Sequence, residues 1–244
     1  MSPRLTVATA GRVLRQVRHD PRTIALLVVV PCVLIGLLAW VYDNSPVFDQ
    51  IGAPLLGVFP FVVMFLVTSV ATLRERQSGT LERLLAMPLG KGDLIGGYAL
   101  AFGLLAALQA LVAAGFAVYV LGLDVAGSAW LLVLIAVVDA VLGTALGLFV
   151  SAFARSEFQA VQFLPAFILP QFLLCGLLTP RENLPDLLNA ISSVLPLSYA
   201  VDAMRTVTID PNPTSDVLIN VLIVSGFVVG ALALGAGTLR RRTP

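Results

Sequence analysis

Asp139 is the single acidic or basic side chain within the six long apolar runs of this chain. The chemistry open to an ionisable group in lipid is the handling of a proton or a cation, and its cost there makes function the first reading. A structural reading stands beside it, with the carboxyl hydrogen-bonded or protonated against neighbouring helices. A proton-driven carrier would be expected to show more than one such group. Gln109, Gln159, Gln162 and Gln171 are the softer polar marks in the same runs.

Outside those runs the reactive residue types do not cluster. Cys32 and Cys175 lie inside separate apolar runs, which points to neither a disulfide framework nor a metal set. A lone His19 cannot build a zinc site. Gly90-Lys91 lacks the upstream glycine and the following hydroxyl of a phosphate loop, so it is no nucleotide-binding motif. No catalytic, cofactor-binding or metal-ligating residue is expected in this chain.

The elements that carry these residues follow from their solvent. Of 244 residues 58% are hydrophobic and 12% charged, a balance that would expose too much apolar surface in a soluble globule. The apolar runs cover residues 23–42, 54–73, 94–121, 128–154, 158–178 and 217–239. Each has the ~20 residues that an α-helix needs to cross ~30 Å of hydrocarbon. Period-2 alternation is missing, which excludes a barrel and leaves an all-α membrane bundle forming one domain over residues 1–244.

Thirteen of the 15 Lys and Arg residues fall before the first run, in the second and fourth joints, or after the last run. By the positive-inside rule these joints and both termini are cytoplasmic, which requires an even number of spans. The opposite joints carry Asp43, Asp49 and Asp124, and then a longer stretch whose cations are Arg181 and Arg205. A net charge of +1 averages these two faces and gives nucleic-acid binding no support.

Three joints have structure of their own. Arg12, Arg15, Arg18 and Arg22 recur every three or four residues opposite Val13, Leu14 and Val17, which predicts an amphipathic helix in the interface, ending near Asp20-Pro21. In the second joint Gly79 is suited to closing a helix and Thr80 to capping a short new one over residues 81–86, stopped by Pro88. Its Leu81, Leu84 and Leu85 share a face, with Glu82 and Arg83 elsewhere. On the outer side Pro180, Pro185 and Pro196 cut an apolar-faced stretch into short helices at the outer leaflet. One of them, over residues 197–207, carries Asp202 and Arg205 at i, i+3. The pairs Gly143/Gly147 and Gly226/Gly230 predict close helix packing in the bundle.

Two of these segments carry a family resemblance. Glu75, Arg76, Gly79, Thr80, Leu81, Glu82, Leu84, Leu85, Pro88 and Leu89 are similar to a signature of the type-2 ABC exporter permeases. So is the outer loop, through Cys175-Gly176, Pro180, Leu184-Pro185 and the Pro-Leu-x-Tyr-Ala pattern from Pro196 through Tyr199 to Arg205. Cys175 stands where serine is usual. The resemblance implies a half-transporter: two permease copies, or this chain and a related permease, joined to two ATP-binding cassette subunits that hold ATP and Mg2+. It implies that Glu75 and Gly79 to Pro88 couple to the cassette, that Arg12, Arg15 and Arg18 lie on an interface helix, and that Gly176, Pro180, Pro185, Pro196, Tyr199, Asp202 and Arg205 belong to an outer gate. A bacterial-type plasma membrane is the expected location. The expected cargo is a drug-like amphiphile, with a lipid or lipid-linked glycan next. The alternatives are an ion- or proton-coupled carrier using Asp139 and a membrane-embedded enzyme or scaffold.

Overall fold

The computed structural model describes residues 2–42, 46–80, 90–212 and 215–238. Its helices are α1 (Pro3–Arg18), α2 (Pro21–Val41), α3 (Pro46–Gln77), α4 (Lys91–Gly115), α5 (Ala129–Ser151), α6 (Glu157–Leu174), α7 (Asp186–Ser192), α8 (Pro196–Ile209) and α9 (Ser215–Thr238). Phe116–Val120 extends α4 by one π-helical turn, and Arg181–Asn183 is a 3-10 turn. Helices α2, α3, α4, α5 and α9 are each long and apolar enough to cross a membrane. This is an all-α integral membrane protein.

A sixth long helix, α6, has 18 residues that rise about 27 Å at 1.5 Å each and reaches from one end of the bundle to the other. Its first residue, Glu157, meets Arg74 at the C-terminal end of α3. Near its other end, the Leu174 carbonyl accepts from Ser192 in the loop that follows. The pair α7 and α8 is bent by 90°. It begins beside the end of α6 and returns at Val207, whose carbonyl accepts from the Gly127 N–H ahead of α5. It is re-entrant.

Two ends of the bundle are thereby defined. At the basic end Arg76 donates to the Ser151 and Ala152 carbonyls that close α5, and Gln77 donates to the Arg155 carbonyl. At the far end the Asp124 N–H donates to Asp49 in the first turn of α3, and Ala126 pairs with the Thr208 carbonyl. Expected spans and observed helices agree in order. α3 outruns its apolar core at both ends, whereas α6 stops at Leu174, short of residue 178. Just beyond it Gly176 turns to φ +92°, a conformation that favours glycine and breaks the helix.

In lipid, apolar burial gives little drive between helices, so contact quality decides which pairs are firm. The firmest is α3 against α5. A Cβ added to Gly143 would lie 2.2 Å from the Phe61 carbonyl oxygen, and one on Gly147 would lie 2.6 Å from that of Phe65. These glycines let the two backbones touch. The second pair corrects the sequence reading: a Cβ on Gly226 or Gly230 meets nothing within 4 Å, so these residues pack against no helix among those described. They lie on α9, whose Leu218, Leu222 and Val229 are also exposed.

Not every visible contact is strong. Arg74 and Glu157 form two hydrogen bonds of 2.7 and 2.9 Å, yet both side chains stay about half exposed. Exposed pairs contribute at most about 1 kcal/mol. Arg74→Ala is therefore expected to lower the melting temperature in detergent by about 4 °C or less. A larger drop would show that the pair is a structural strut.

Candidate functional site

Two assemblies of polar side chains stand out, one at each end of the bundle. At the basic end α1 lies across the starts and stops of its neighbours. Val13 and Val17 are buried, while Arg15 and Arg18 stay exposed. Arg12 does not. It turns inward and donates two hydrogen bonds to Glu75, 3.0 and 2.9 Å long, and a third of 3.0 Å to the Tyr98 hydroxyl. Its guanidinium also lies 5.8 Å from the Tyr98 ring centre. The parallel fork makes this the stronger class of ion pair.

The start of α1 is fastened too. The Ser2 N–H donates to Asp93 Oδ1 at 2.6 Å, and the other Asp93 oxygen accepts from the Gly90 N–H. One turn further on, a Cβ on Gly97 would lie 2.5 Å from the Thr9 Cβ, so α1 crosses α4 in direct contact. α1 therefore holds the last turn of α3 and the first turn of α4 together. Those are the two borders of residues 81–89, which leave α3 at Gly79, with φ +71°, and rejoin at Gly90. Leu81, Glu82, Arg83, Leu84, Leu85 and Pro88 lie outside the described residues. At the near border Ser78 and Thr80 share a hydroxyl hydrogen bond of 2.9 Å, and Glu75 faces α1.

The elbow between α1 and α2 is set by Asp20. Its carboxylate caps α2, accepting from the Thr23 hydroxyl at 2.7 Å and from the Arg22 and Thr23 N–H groups. The Thr23 hydroxyl bond, then its backbone N–H, hold the Asp20 carboxyl below the usual carboxylate range.

The far-end assembly centres on Arg181. It pairs with Asp202, donates to the Ser193 hydroxyl at 3.2 Å, and lies 5.4 Å from the centre of the Tyr199 ring. Tyr199 in turn donates to the Ser193 carbonyl at 2.6 Å. The expected partner of Asp202 was Arg205. Arg181 takes it instead, because the 3-10 turn carries its guanidinium under α8. Gly176 is part of the same fit, since a Cβ there would lie 3.3 Å from the Arg181 side chain. Pro180 and Pro185 precede the 3-10 turn and α7, and Pro196 opens α8.

The two helices of the far-end loop, α7 and α8, differ in depth. α7 keeps Leu187 and Ile191 exposed, as a helix at the leaflet surface would. α8 does not lie on the surface as expected. Leu197, Ala200, Ala203, Met204 and Val207 are all buried, because its small residues fit between α3, α5 and α9. Gln171 of α6 anchors its start, with Oε1 accepting from the Leu197 N–H at 3.4 Å.

Asp139 lies beneath α8, fully buried. A Cβ on Gly57 would come 3.0 Å from its Oδ2 and 2.9 Å from the Met204 sulfur, so the carboxyl sits where α3, α5 and α8 converge. Among the described residues neither oxygen has a hydrogen-bond partner, and the same holds for the Gln109 amide on α4. Among those residues no three His, Cys, Asp or Glu side chains are grouped to hold a metal ion. Sequence reading missed Tyr98, Asp93 and Arg181. Only Arg181 left a signal, as one of two cations in an otherwise acidic outer stretch.

Comparison with known proteins places these assemblies in context. A family model described as "ABC-2 type transporter" matches residues 4–209. The chain is 29% identical over 164 residues to "ABC transporter G family member 20" of Dictyostelium discoideum, covering 67% of this chain and 22% of that one. It is 26% identical over 182 residues to "Probable multidrug ABC transporter permease YbhS" of Escherichia coli K12, covering 74% and 48%. With "Nodulation protein J" of Sinorhizobium fredii it shares 28% identity over 213 residues, covering 85% and 79%. The chain thus spans less than half the length of the first two relatives.

Proposed function

Because the chain belongs to the ABC-2 type transporter family, we propose that it is the permease subunit of an ATP-driven exporter. A separate cassette subunit would bind ATP and Mg2+, and residues 81–89 would dock into it. The basic end would face the cytoplasm of a bacterial-type cell, with both termini on that side. The cargo would be a drug-like amphiphile first and a lipid or lipid-linked glycan second, a ranking that leans on the multidrug permease relative.

The observation that carries this reading is the fastening of α1 to both borders of residues 81–89. A segment held at two points by a clamp of its own transmits force to α3 and α4 rather than flexing alone. Closure of the cassettes on nucleotide would then tilt those helices and open an outward path by rigid-body movement. The outer loop, with Arg181, Asp202 and Tyr199, would be the exit gate.

Purification in mild detergent tests the assembly: an ATPase chain is expected to come with this one in equal amounts. Leu84→Asp should leave the protein inserted and abolish ATP-dependent export. Export that persists in that variant would remove the segment from the coupling path.

Sidedness has its own test, made after Cys32 and Cys175 are replaced by alanine. A cysteine at Asp186 or Asp210 should react with an impermeant thiol reagent from outside intact cells, and one at Gln77 or Arg155 should not. One reversed position would overturn the orientation.

The unpartnered burial of Asp139 favours a second reading, a carrier driven by protons or cations. Transport retained in Asp139→Asn, and lost when the ATPase partner is inactivated, would dispose of it.

A further inference from the structure

A cavity of about 770 Å3 lies between the α1–α2 elbow, α3 and the start of α6. Its polar lining includes Asp20, Arg22, Arg74 and Glu157, two cations and two anions. Its apolar lining runs down α3 through Val70 to Leu66, about 12 Å below Arg74 at 1.5 Å per residue. Phe158 stands at its edge, 73% exposed, so the mouth opens sideways toward lipid. The charged rim is at the basic end and the apolar part points toward the middle of the bundle. A phospholipid headgroup above the upper part of its acyl chains has that shape.

The charges select among headgroups. Arg22 takes part in none of the three ion pairs among the described residues. Arg74 uses Nε and Nη2 on Glu157, which leaves Nη1 for another acceptor. The two carboxylates stand close by, Asp20 fixed by its capping bonds and Glu157 by Arg74. A purely anionic headgroup would meet both carboxylates, and a purely cationic one both guanidiniums. A group carrying a phosphate and an ammonium a few ångströms apart satisfies all four.

We propose that this cavity holds one zwitterionic phospholipid from the leaflet at the basic end, its phosphate between Arg22 and Arg74 and its ammonium against Asp20 and Glu157. The bound lipid is a resident part of the structure. It fills the gap between α2 and α6, wedging the elbow at a fixed angle. This does not depend on the export reading.

The test uses the full-length protein with its co-purifying ATPase in nanodiscs of equal phosphatidylethanolamine and phosphatidylglycerol. Lipids retained after transfer to mild detergent are counted by native mass spectrometry. Wild type should keep one phosphatidylethanolamine per permease copy. Arg22→Glu should weaken retention about tenfold, the loss of one charge-assisted contact. Val70→Trp, which fills the apolar half and leaves the rim intact, should do the same, and Arg22→Lys should restore most of it. No retained lipid in wild type, equal retention of phosphatidylglycerol, or unchanged retention in both Arg22→Glu and Val70→Trp would overturn the proposal. So would loss of the lipid during ATP turnover, which would mark the site as a cargo site.

Discussion

Replacing Arg12 with alanine is expected to destabilise the protein by about 3–5 kcal/mol, the cost of stranding one member of a buried pair. The effect should be lopsided. Glu75 is 5% exposed in its side chain and Arg12 is 29% exposed, so loss of the arginine leaves a carboxylate sealed against α1. Loss of Glu75 leaves a guanidinium that can reach water on its flexible stem. Arg12→Ala should therefore cost more than Glu75→Ala, and the double variant should recover part of the difference. Thermal unfolding in detergent measures all three. Equal and additive losses would mean that the fork carries no coupling of its own, and Tyr98→Phe, which removes one acceptor only, should fall well below either.

Gly143→Leu should have an effect of at least similar size, about 3 kcal/mol or more, with most of the protein failing to reach its folded form. The atom that an added Cβ would strike is the Phe61 carbonyl oxygen, at 2.2 Å. A side chain can swing aside, but a backbone oxygen inside a helix cannot, so α3 and α5 would have to part along their whole contact. Gly226→Leu is the matched control, with nothing within 4 Å of its added atoms' starting point. It should fold at the wild-type level. A Gly143→Leu protein that folds and melts normally would show that the close approach is not needed.

The spans were legible in the sequence because bilayer thickness fixes their length and composition: five appear as helices long and apolar enough to cross, and the fifth run in the chain appears as the 18-residue α6. The proline-cut loop was legible too, since Pro180, Pro185 and Pro196 each begin a new piece. What failed was depth and partnership. The proline-cut, apolar-faced stretch suggested that α8 lies at the surface, but the residues that bury it are Ala200, Ala203 and Met204, which carry little periodic signal. Helical periodicity likewise put Arg12 on a polar face without saying that Glu75 waits there, 63 residues away. The same limit produced the Asp202 to Arg205 pairing: neighbours along one helix can be counted from sequence, whereas Arg181 arrives from a different turn. The end of α6 depended on a single positive φ at Gly176.

The touching backbones of α3 and α5 decide which parts of the molecule can slide. At Gly143 and Gly147 the two helices meet backbone to backbone, so they act as one plank. At the basic end Arg76 and Gln77 nail that plank shut onto the carbonyls of residues 151, 152 and 155. Helices α2 and α9 bury far less of themselves against the rest. They are the loose boards. A 32-residue α3 is about 48 Å long, so a tilt of about 5° about its middle displaces each end by about 2 Å. A push delivered near Gly79 reaches the opposite surface as a swing of Asp49 in the reverse direction, and it carries Asp139 along on the same plank.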